Sequence, residues 1–277
     1  MGRVRHLSGQ DAVLFYRSCC SVIEASHMPD DLLPYVFGAL AALLVGLSKT
    51  GVPGVSIPAI LMMTEAFAGN EKLSVGAILP ILLVGDVLAV KYYRQHTQWD
   101  RLLGLFPYVL LGMIPGVYVL RNVDHQQFKL VLGILVIVLM AIEGGRQRFG
   151  WSKMPDQWWF VALMGIAAGF GTVVGNAAGP VMGIYLISRG MFKAEFMGTW
   201  AWFFMIVNVS KAPLFGSMGM ITVETLKFDL ILVPFVVLGA LIGKRLFLLI
   251  PQKVFDPLVL ALALIAAIRM VTSGIWG

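Results

Sequence analysis

Long apolar runs with very few charged residues recur along the whole sequence. Leu73–Tyr92 and Leu102–Leu120 are each about 20 residues long, the length that a helix needs to cross a ~30 Å hydrocarbon core. Only 13% of the 277 residues are charged and 58% are hydrophobic, whereas about a quarter of a soluble domain is charged. The chain is therefore predicted to be an all-α polytopic membrane protein with the lipid bilayer as its surroundings.

About ten hydrophobic segments can be delimited, and a polar stretch separates the first five from the second five. The segments are Leu32–Leu47, Ile57–Phe67, Leu73–Tyr92, Leu102–Leu120 and Phe128–Ile142, then Trp158–Val173, Pro180–Ile187, Gly198–Phe215, Leu226–Ile250 and Leu258–Val271. We accordingly divide the chain into an N-terminal tail (1–30), a first membrane repeat (31–143), a polar loop (144–157) and a second membrane repeat (158–277).

The two groups of segments resemble each other in sequence. At a shift of 122 residues Asp86 aligns with Asn208, and after five additional loop residues the shift becomes 127, which aligns Leu105–Gly116 with Leu232–Gly243. An odd number of crossings per half makes the second half enter the bilayer from the opposite side. The sequence thus predicts two inverted five-segment repeats, an architecture of secondary transporters.

The charge pattern concerns topology and the classes of function that the chain excludes. The net charge is +6, but the basic residues lie in short loops, so they indicate membrane topology rather than nucleic-acid binding and predict that both termini lie outside. Catalysis has little support, because no histidine lies in a segment and no phosphate-binding loop is present; the histidines are His6, His27, His96 and His125. We predict no enzyme activity, no cofactor and no metal site.

Two glycine-rich stretches interrupt the apolar pattern at corresponding places. Gly46–Pro58 and Gly169–Pro180 are both predicted to be unwound at membrane depth, where irregular backbone is tolerated only beside a cavity or inside protein. Each ends in a proline that begins a short apolar segment, which favours a helix start. Two helix N-termini near the midplane would form an anion site. Ordinary turns in the headgroup region are the alternative.

Three charged residues are predicted to lie inside the membrane, where charges are usually functional: Lys49 in the first glycine-rich stretch, Asp86 in the third segment and Lys211 in the eighth. Lys49 and Lys211 are predicted to balance the charge of an anion, and Asp86 to carry a proton or act as a gate; a structural Asp86–Lys211 ion pair is the alternative. Four further residues either line the path or only pack: Thr199, Trp200, Trp202 and Ser210. The complete predicted binding set is Lys49, Thr50, Gly51 and Gly54 with Thr172, Gly175, Asn176, Asn208 and Lys211.

The motif NAAGPVMGIYL (Asn176–Leu186) and the segment Lys193–Phe215 resemble the TauE/SafE sulfite exporter family of permease-like membrane transporters, and the resemblance extends over Leu32–Val271. It implies a bacterial inner-membrane permease that moves sulfite or an organosulfonate without ATP. Export is the expected direction, because a negative charge leaving a negative interior gains ~2.3 kcal/mol per 100 mV. Import would need a co-transported proton or cation, for which Asp86 is the candidate.

Two other functions stay open from the sequence. One is an anion channel that uses the same site, and the other is a non-transporting membrane partner of a sulfur-metabolising enzyme. A homo-oligomeric state is also open.

Overall fold

The computed structural model describes residues 32–67, 71–122, 157–176 and 178–276, with isolated positions 134, 137 and 141. The helices in these ranges are α1 (Leu32–Thr50), α2 (Ser56–Ala66), α3 (Glu71–Tyr93), α4 (Trp99–Asn122), α5 (Trp158–Gly175), α6 (Ala178–Ser188), α7 (Lys193–Ser217), α8 (Val223–Leu249) and α9 (Gln252–Trp276), and a short 3-10 turn (Arg94–His96) follows α3. No strand occurs in the described ranges. The predicted all-α class is confirmed.

Five of these helices are long and apolar enough to cross a membrane, namely α1, α3, α4, α5 and α8. α2 and α6 have 11 residues each, too few to span the bilayer on their own. The helices match nine of the ten predicted segments. The remaining segment, Phe128–Ile142, and the polar loop lie almost wholly outside the described residues, as does the N-terminal tail with Cys19 and Cys20.

The two predicted breaks are shorter than the sequence suggested. α1 continues to Thr50, so only 51–55 interrupts the helices there, and α5 continues to Gly175 before the chain turns at Asn176. The expectation that Gly46–Thr50 and Gly169–Gly175 are unwound was therefore wrong. Glycine is compatible with a transmembrane helix where it lets a neighbouring backbone approach closely, and Gly46 and Gly169 do so.

Glycines bring two pairs of helices into close contact. A Cβ atom on Gly46 of α1 would lie 2.1 Å from the carbonyl oxygen of Val236 of α8, and a Cβ on Gly169 of α5 would lie 2.0 Å from that of Val109 of α4. Val109 and Val236 are 127 residues apart and correspond in the sequence repeat. Gly46 and Gly169 are 123 apart, one residue more than the shift of 122 found further along the chain.

The distribution of exposed side chains is that of a protein surrounded by lipid. On α8, Leu230 and Leu249 are 72% and 77% exposed, and on α4 Ile114 and Tyr118 are 68% and 67% exposed. In contrast, every residue of α6 with an assigned exposure except Gly179 is buried. α6 and one face of α7 thus form the interior of the fold, and the polar residues described next lie beside them.

Candidate functional site

The starts of the two short helices line the same cavity. α2 begins at Ser56 and α6 at Ala178, so that Pro58 and Pro180 each occupy the first helical turn, as the sequence predicted. Ser56 and Gly179, both in a first turn, line a cavity of about 30 Å³. Backbone N–H groups in the first turn of a helix have no partner within the helix, and the helix dipole is positive there. The cavity therefore has two sources of positive potential that need no charged side chain.

Lys49 places its side-chain amine at this cavity. Its Nζ lies 2.7 Å from Oδ1 of Asp86 on α3, and both side chains are almost completely buried, at 5% and 0% exposed. The same ammonium lies 4.1 Å from the ring centroid of Phe204 on α7, a cation–π distance. Gly85 leaves room for the lysine, since a Cβ there would lie 3.0 Å from Cγ of Lys49.

Asp86 is held from its other side by α7. Nδ2 of Asn208 donates a hydrogen bond of 2.6 Å to Oδ2 of Asp86. These two residues correspond in the sequence repeat at the shift of 122, so equivalent positions of the two halves touch each other. Asp86, Asn208 and Lys49 form one buried polar chain, and the latter two line the cavity.

Lys211 bonds to a different part of the cluster. Its Nζ donates to the carbonyl oxygen and Oγ1 of Thr172, both at 3.0 Å, and to Oδ1 of Asn176 at 2.6 Å. The proposed Asp86–Lys211 ion pair was therefore wrong, because Lys49 occupies that carboxylate. The three hydrogen bonds satisfy the ammonium donors of Lys211 but leave its charge unbalanced by any carboxylate among them.

Asn176 terminates α5 and accepts a hydrogen bond from Lys211. Its backbone is left-handed, with φ of 53°, a conformation that asparagine tolerates at a helix end. Besides accepting from Lys211, its Nδ2 donates a long hydrogen bond of 3.4 Å to the carbonyl oxygen of Val75. Thr172 and Asn176 both line the cavity.

Besides Lys211, four predicted binding residues do not line the cavity. Thr50 Oγ1 lies 2.7 Å from the carbonyl oxygen of Ala240, which links α1 to α8. Gly51 packs against the backbone of Gly243, where an added Cβ would lie 2.5 Å from a carbonyl oxygen, and Gly54 has φ of 97° in the turn before α2. Gly175 has open space around it. Thr50, Gly51 and Gly54 therefore position the helices, and none of their contacts points to a ligand.

The cavity is also lined by residues that were not in the predicted set. They are Ser48, Ser56, Ile60, Ile78, Leu82, Gly179, Trp200 and Phe204. A helical spacing of four could have identified the aromatic ones, because Trp200, Phe204 and Asn208 lie on one face of α7. The other three candidates on α7 lie elsewhere: Trp202 packs against Trp99, Thr199 Oγ1 accepts from the backbone N–H of Gln98, and Ser210 is exposed.

A model of the family described as sulfite exporter TauE/SafE matches residues 35–270. The chain belongs to this family. The TauE/SafE match spans every helix that contributes to the cavity, and it agrees with the several membrane-spanning helices, so the chain is a multi-pass membrane protein of a transporter family. No curated protein and no solved structure matched the chain. The described part of this TauE/SafE protein has no group of three or more His, Cys, Asp or Glu arranged to hold a metal ion.

Proposed function

We propose that this protein is a secondary transporter that exports a small sulfur-containing anion, sulfite or an organosulfonate, across the bacterial inner membrane. The observation that carries the proposal is the cavity in which the starts of α2 and α6 meet Lys49. Helix N-termini and a buried cation together favour an anion over a neutral or cationic ligand. The choice of a sulfur oxyanion comes from the description of the TauE/SafE family.

Charge supports the same conclusion. The buried cluster contains two lysines, Lys49 and Lys211, and one carboxylate, Asp86. With all three ionised, the cluster carries one net positive charge inside the membrane, where an unbalanced charge is costly. A bound anion would remove that cost, and the protein would gain affinity for the anion from the same electrostatic term.

Alternating access is supported by the way the halves contact each other. The Gly46–Val236 and Gly169–Val109 contacts correspond under the sequence repeat to within one residue, and Asp86 meets its own counterpart Asn208. We infer that the halves form an inverted pair whose pseudo-two-fold axis passes near Asp86 and the cavity. Rocking of one half against the other around a central site is how such repeats expose a site to each side in turn.

The proposal includes direction, coupling and orientation. Export of an anion gains ~2.3 kcal/mol per charge per 100 mV from the membrane potential and requires no coupling ion. If transport also moves a proton, Asp86 is the group that carries it. Both termini lie outside in this proposal. Cys19 and Cys20 are the two cysteines of the chain and report the position of the N-terminal tail. A membrane-impermeant maleimide should therefore label them in intact spheroplasts. Labelling only after lysis would show that the N-terminus lies inside.

Flux from proteoliposomes tests the transport function. Vesicles loaded with ³⁵S-sulfite should release label faster when a potassium gradient and valinomycin make the interior negative. The Lys49→Ala, Lys211→Ala double variant should lose most of this flux, whereas Ser210→Ala, on the exposed side of α7, should retain it. Unchanged flux in the double variant would refute the proposed roles of the two lysines in balancing the charge of the anion.

A counterflow experiment in the same vesicles distinguishes a carrier from a channel. Unlabelled sulfite inside the vesicles should drive transient accumulation of external label in a carrier, because each reorientation exchanges one anion for another. A channel gives no such accumulation and follows voltage alone. A protein that gives neither flux nor accumulation would instead point to the non-transporting membrane partner.

A further inference from the structure

Two residues that line the cavity each carry a buried polar atom that lacks a hydrogen-bond partner in the described part of the chain. The atoms are the indole Nε1 of Trp200, a residue that is 3% exposed, and Oδ1 of Asn208, a residue that is 1% exposed. Both residues line the cavity. Buried polar groups in native proteins are nearly always paired, so two unpaired groups at one cavity indicate a ligand that completes them.

The two groups require different hydrogen-bonding partners, one an acceptor and the other a donor. An indole N–H only donates, so Trp200 requires an acceptor. The amide of Asn208 has a fixed orientation, because its Nδ2 lies 2.6 Å from an Asp86 carboxylate whose other oxygen lies 2.7 Å from Lys49. An ionised carboxylate can only accept, which places the amide nitrogen towards Asp86 and leaves Oδ1 as an acceptor. Oδ1 therefore requires a donor.

Charge and size restrict the ligand further. The cluster of Lys49, Lys211 and Asp86 has one net positive charge when all three are ionised. A single negative charge balances it, whereas a dianion leaves an excess negative charge in the low-dielectric interior. The cavity of about 30 Å³ is much smaller than an engineered cavity of about 150 Å³ that binds benzene, so it has to widen even for an oxyanion of four heavy atoms.

We propose that the site recognises a small oxyanion with one negative charge and one hydrogen-bond donor of its own, so that bisulfite rather than the sulfite dianion is bound. Trp200 donates to a bisulfite oxygen, and the bisulfite hydroxyl donates to Oδ1 of Asn208. The inference rests on the proposed transport function and adds the protonation state of the substrate. It also makes Trp200 a specificity-determining residue. From the sequence alone, the position of Trp200 on an aromatic helix face favours a packing role.

Competition among anions tests the inference with the complete protein in liposomes. Bisulfite and sulfite exchange near neutral pH, so at constant total sulfite the flux should fall as the pH rises and should follow the bisulfite concentration. Methanesulfinate has a methyl group in place of the bisulfite hydroxyl and remains a monoanion without a donor. It should compete roughly tenfold less well than bisulfite, because it leaves Asn208 Oδ1 unpaired.

The protein also contains titratable groups at this site, namely Lys49 on α1, Asp86 on α3 and Lys211 on α7. Methanesulfinate controls for them, because its own charge is constant over the pH range. Its weak competition against a fixed bisulfite concentration should be independent of pH. A pH dependence shared by both anions would assign the effect to the protein and overturn the inference, while leaving sulfite transport in place.

Variants on α7 provide a second, independent readout. Trp200→Phe keeps an aromatic ring but removes the N–H, and should raise the half-saturating bisulfite concentration roughly tenfold. Trp202→Phe is the matched control, because Trp202 is only half-buried and packs against Trp99, and it should leave that concentration unchanged. Asn208→Leu should abolish the preference for bisulfite over methanesulfinate.

The outcomes separate the inference from the proposed function. Sulfite flux that falls with pH, with Trp200→Phe weakening bisulfite, supports both. Flux that rises with pH, or equal competition by bisulfite and methanesulfinate in the wild-type protein, overturns the inference alone. No sulfite flux at any pH overturns the proposed function, and the inference with it.

Discussion

Replacement of Lys49 by methionine should destabilise the protein much more than replacement of the whole ion pair. Lys49→Met keeps an unbranched side chain of similar length, but among the described residues it leaves the completely buried Asp86 with only the Asn208 hydrogen bond. Asp86→Asn conversely leaves the lysine charge, among the same residues, with only the Phe204 ring. Both single variants create a buried charge without an opposite charge beside it.

The expected magnitude follows from the distance and the burial. At 2.7 Å between Nζ and Oδ1, with side chains 5% and 0% exposed, the pair is fully desolvated. Removal of one partner of a buried ion pair costs about 3–5 kcal/mol, whereas replacement of both by neutral groups is often close to neutral. The double variant Lys49→Met, Asp86→Asn should therefore be more stable than either single variant, with a coupling energy of about 3 kcal/mol or more.

SDS-induced unfolding in mixed micelles can measure all four proteins of this double-mutant cycle. Flux measured alongside should stay low in the double variant, because stability is restored but the Lys49 ammonium at the cavity is not. If the double variant loses the sum of the two single losses, the two residues are not coupled and the buried pair is refuted. If its flux recovers with its stability, Lys49 has no role in anion binding.

Two further predictions concern the packing between neighbouring helices. Gly239→Ala should lower the unfolding temperature in detergent, because its Cβ would lie 2.0 Å from the carbonyl oxygen of Leu43. Gly104→Ala is the control and should not lower it, because no described atom lies near that position. Equal effects of the two substitutions would contradict the close approach of α1 and α8. Tyr93→Phe should cost about 1–3 kcal/mol on SDS unfolding, because the Thr50 carbonyl would lose its 2.6 Å partner in the last turn of α1, and an unchanged stability would show that the bond contributes nothing.

Much of the fold follows from simple sequence patterns. Apolar length predicted the helices that span the membrane, and Pro58 and Pro180 marked the starts of α2 and α6 to within two residues. The helix ends were harder to predict. A glycine at position 46 or 169 looks the same in the sequence whether the helix unwinds there or a neighbouring backbone packs closely against it. Only the tertiary contact distinguishes the two cases.

The candidate site was partly predictable for a similar reason. Buried charges are rare in membranes, so Lys49, Asp86 and Lys211 were evident without a structure. Their pairing was not, because three charges allow two ion pairs and the choice depends on where the last turn of α1 lies relative to α3. Trp200 was ambiguous, because an aromatic residue on a helix face is compatible with packing and with ligand binding. That its Nε1 has no partner among the described residues becomes evident only in three dimensions.

The most direct test of the anion site is to locate a bound analogue of the substrate. Selenite has the shape and charge states of sulfite, and selenium gives an anomalous diffraction signal that identifies its position. Crystals of the protein soaked in selenite should show one strong anomalous peak in the cavity between Lys49, Gly179 and Trp200. A peak elsewhere in the membrane region, with this cavity empty, would contradict the account.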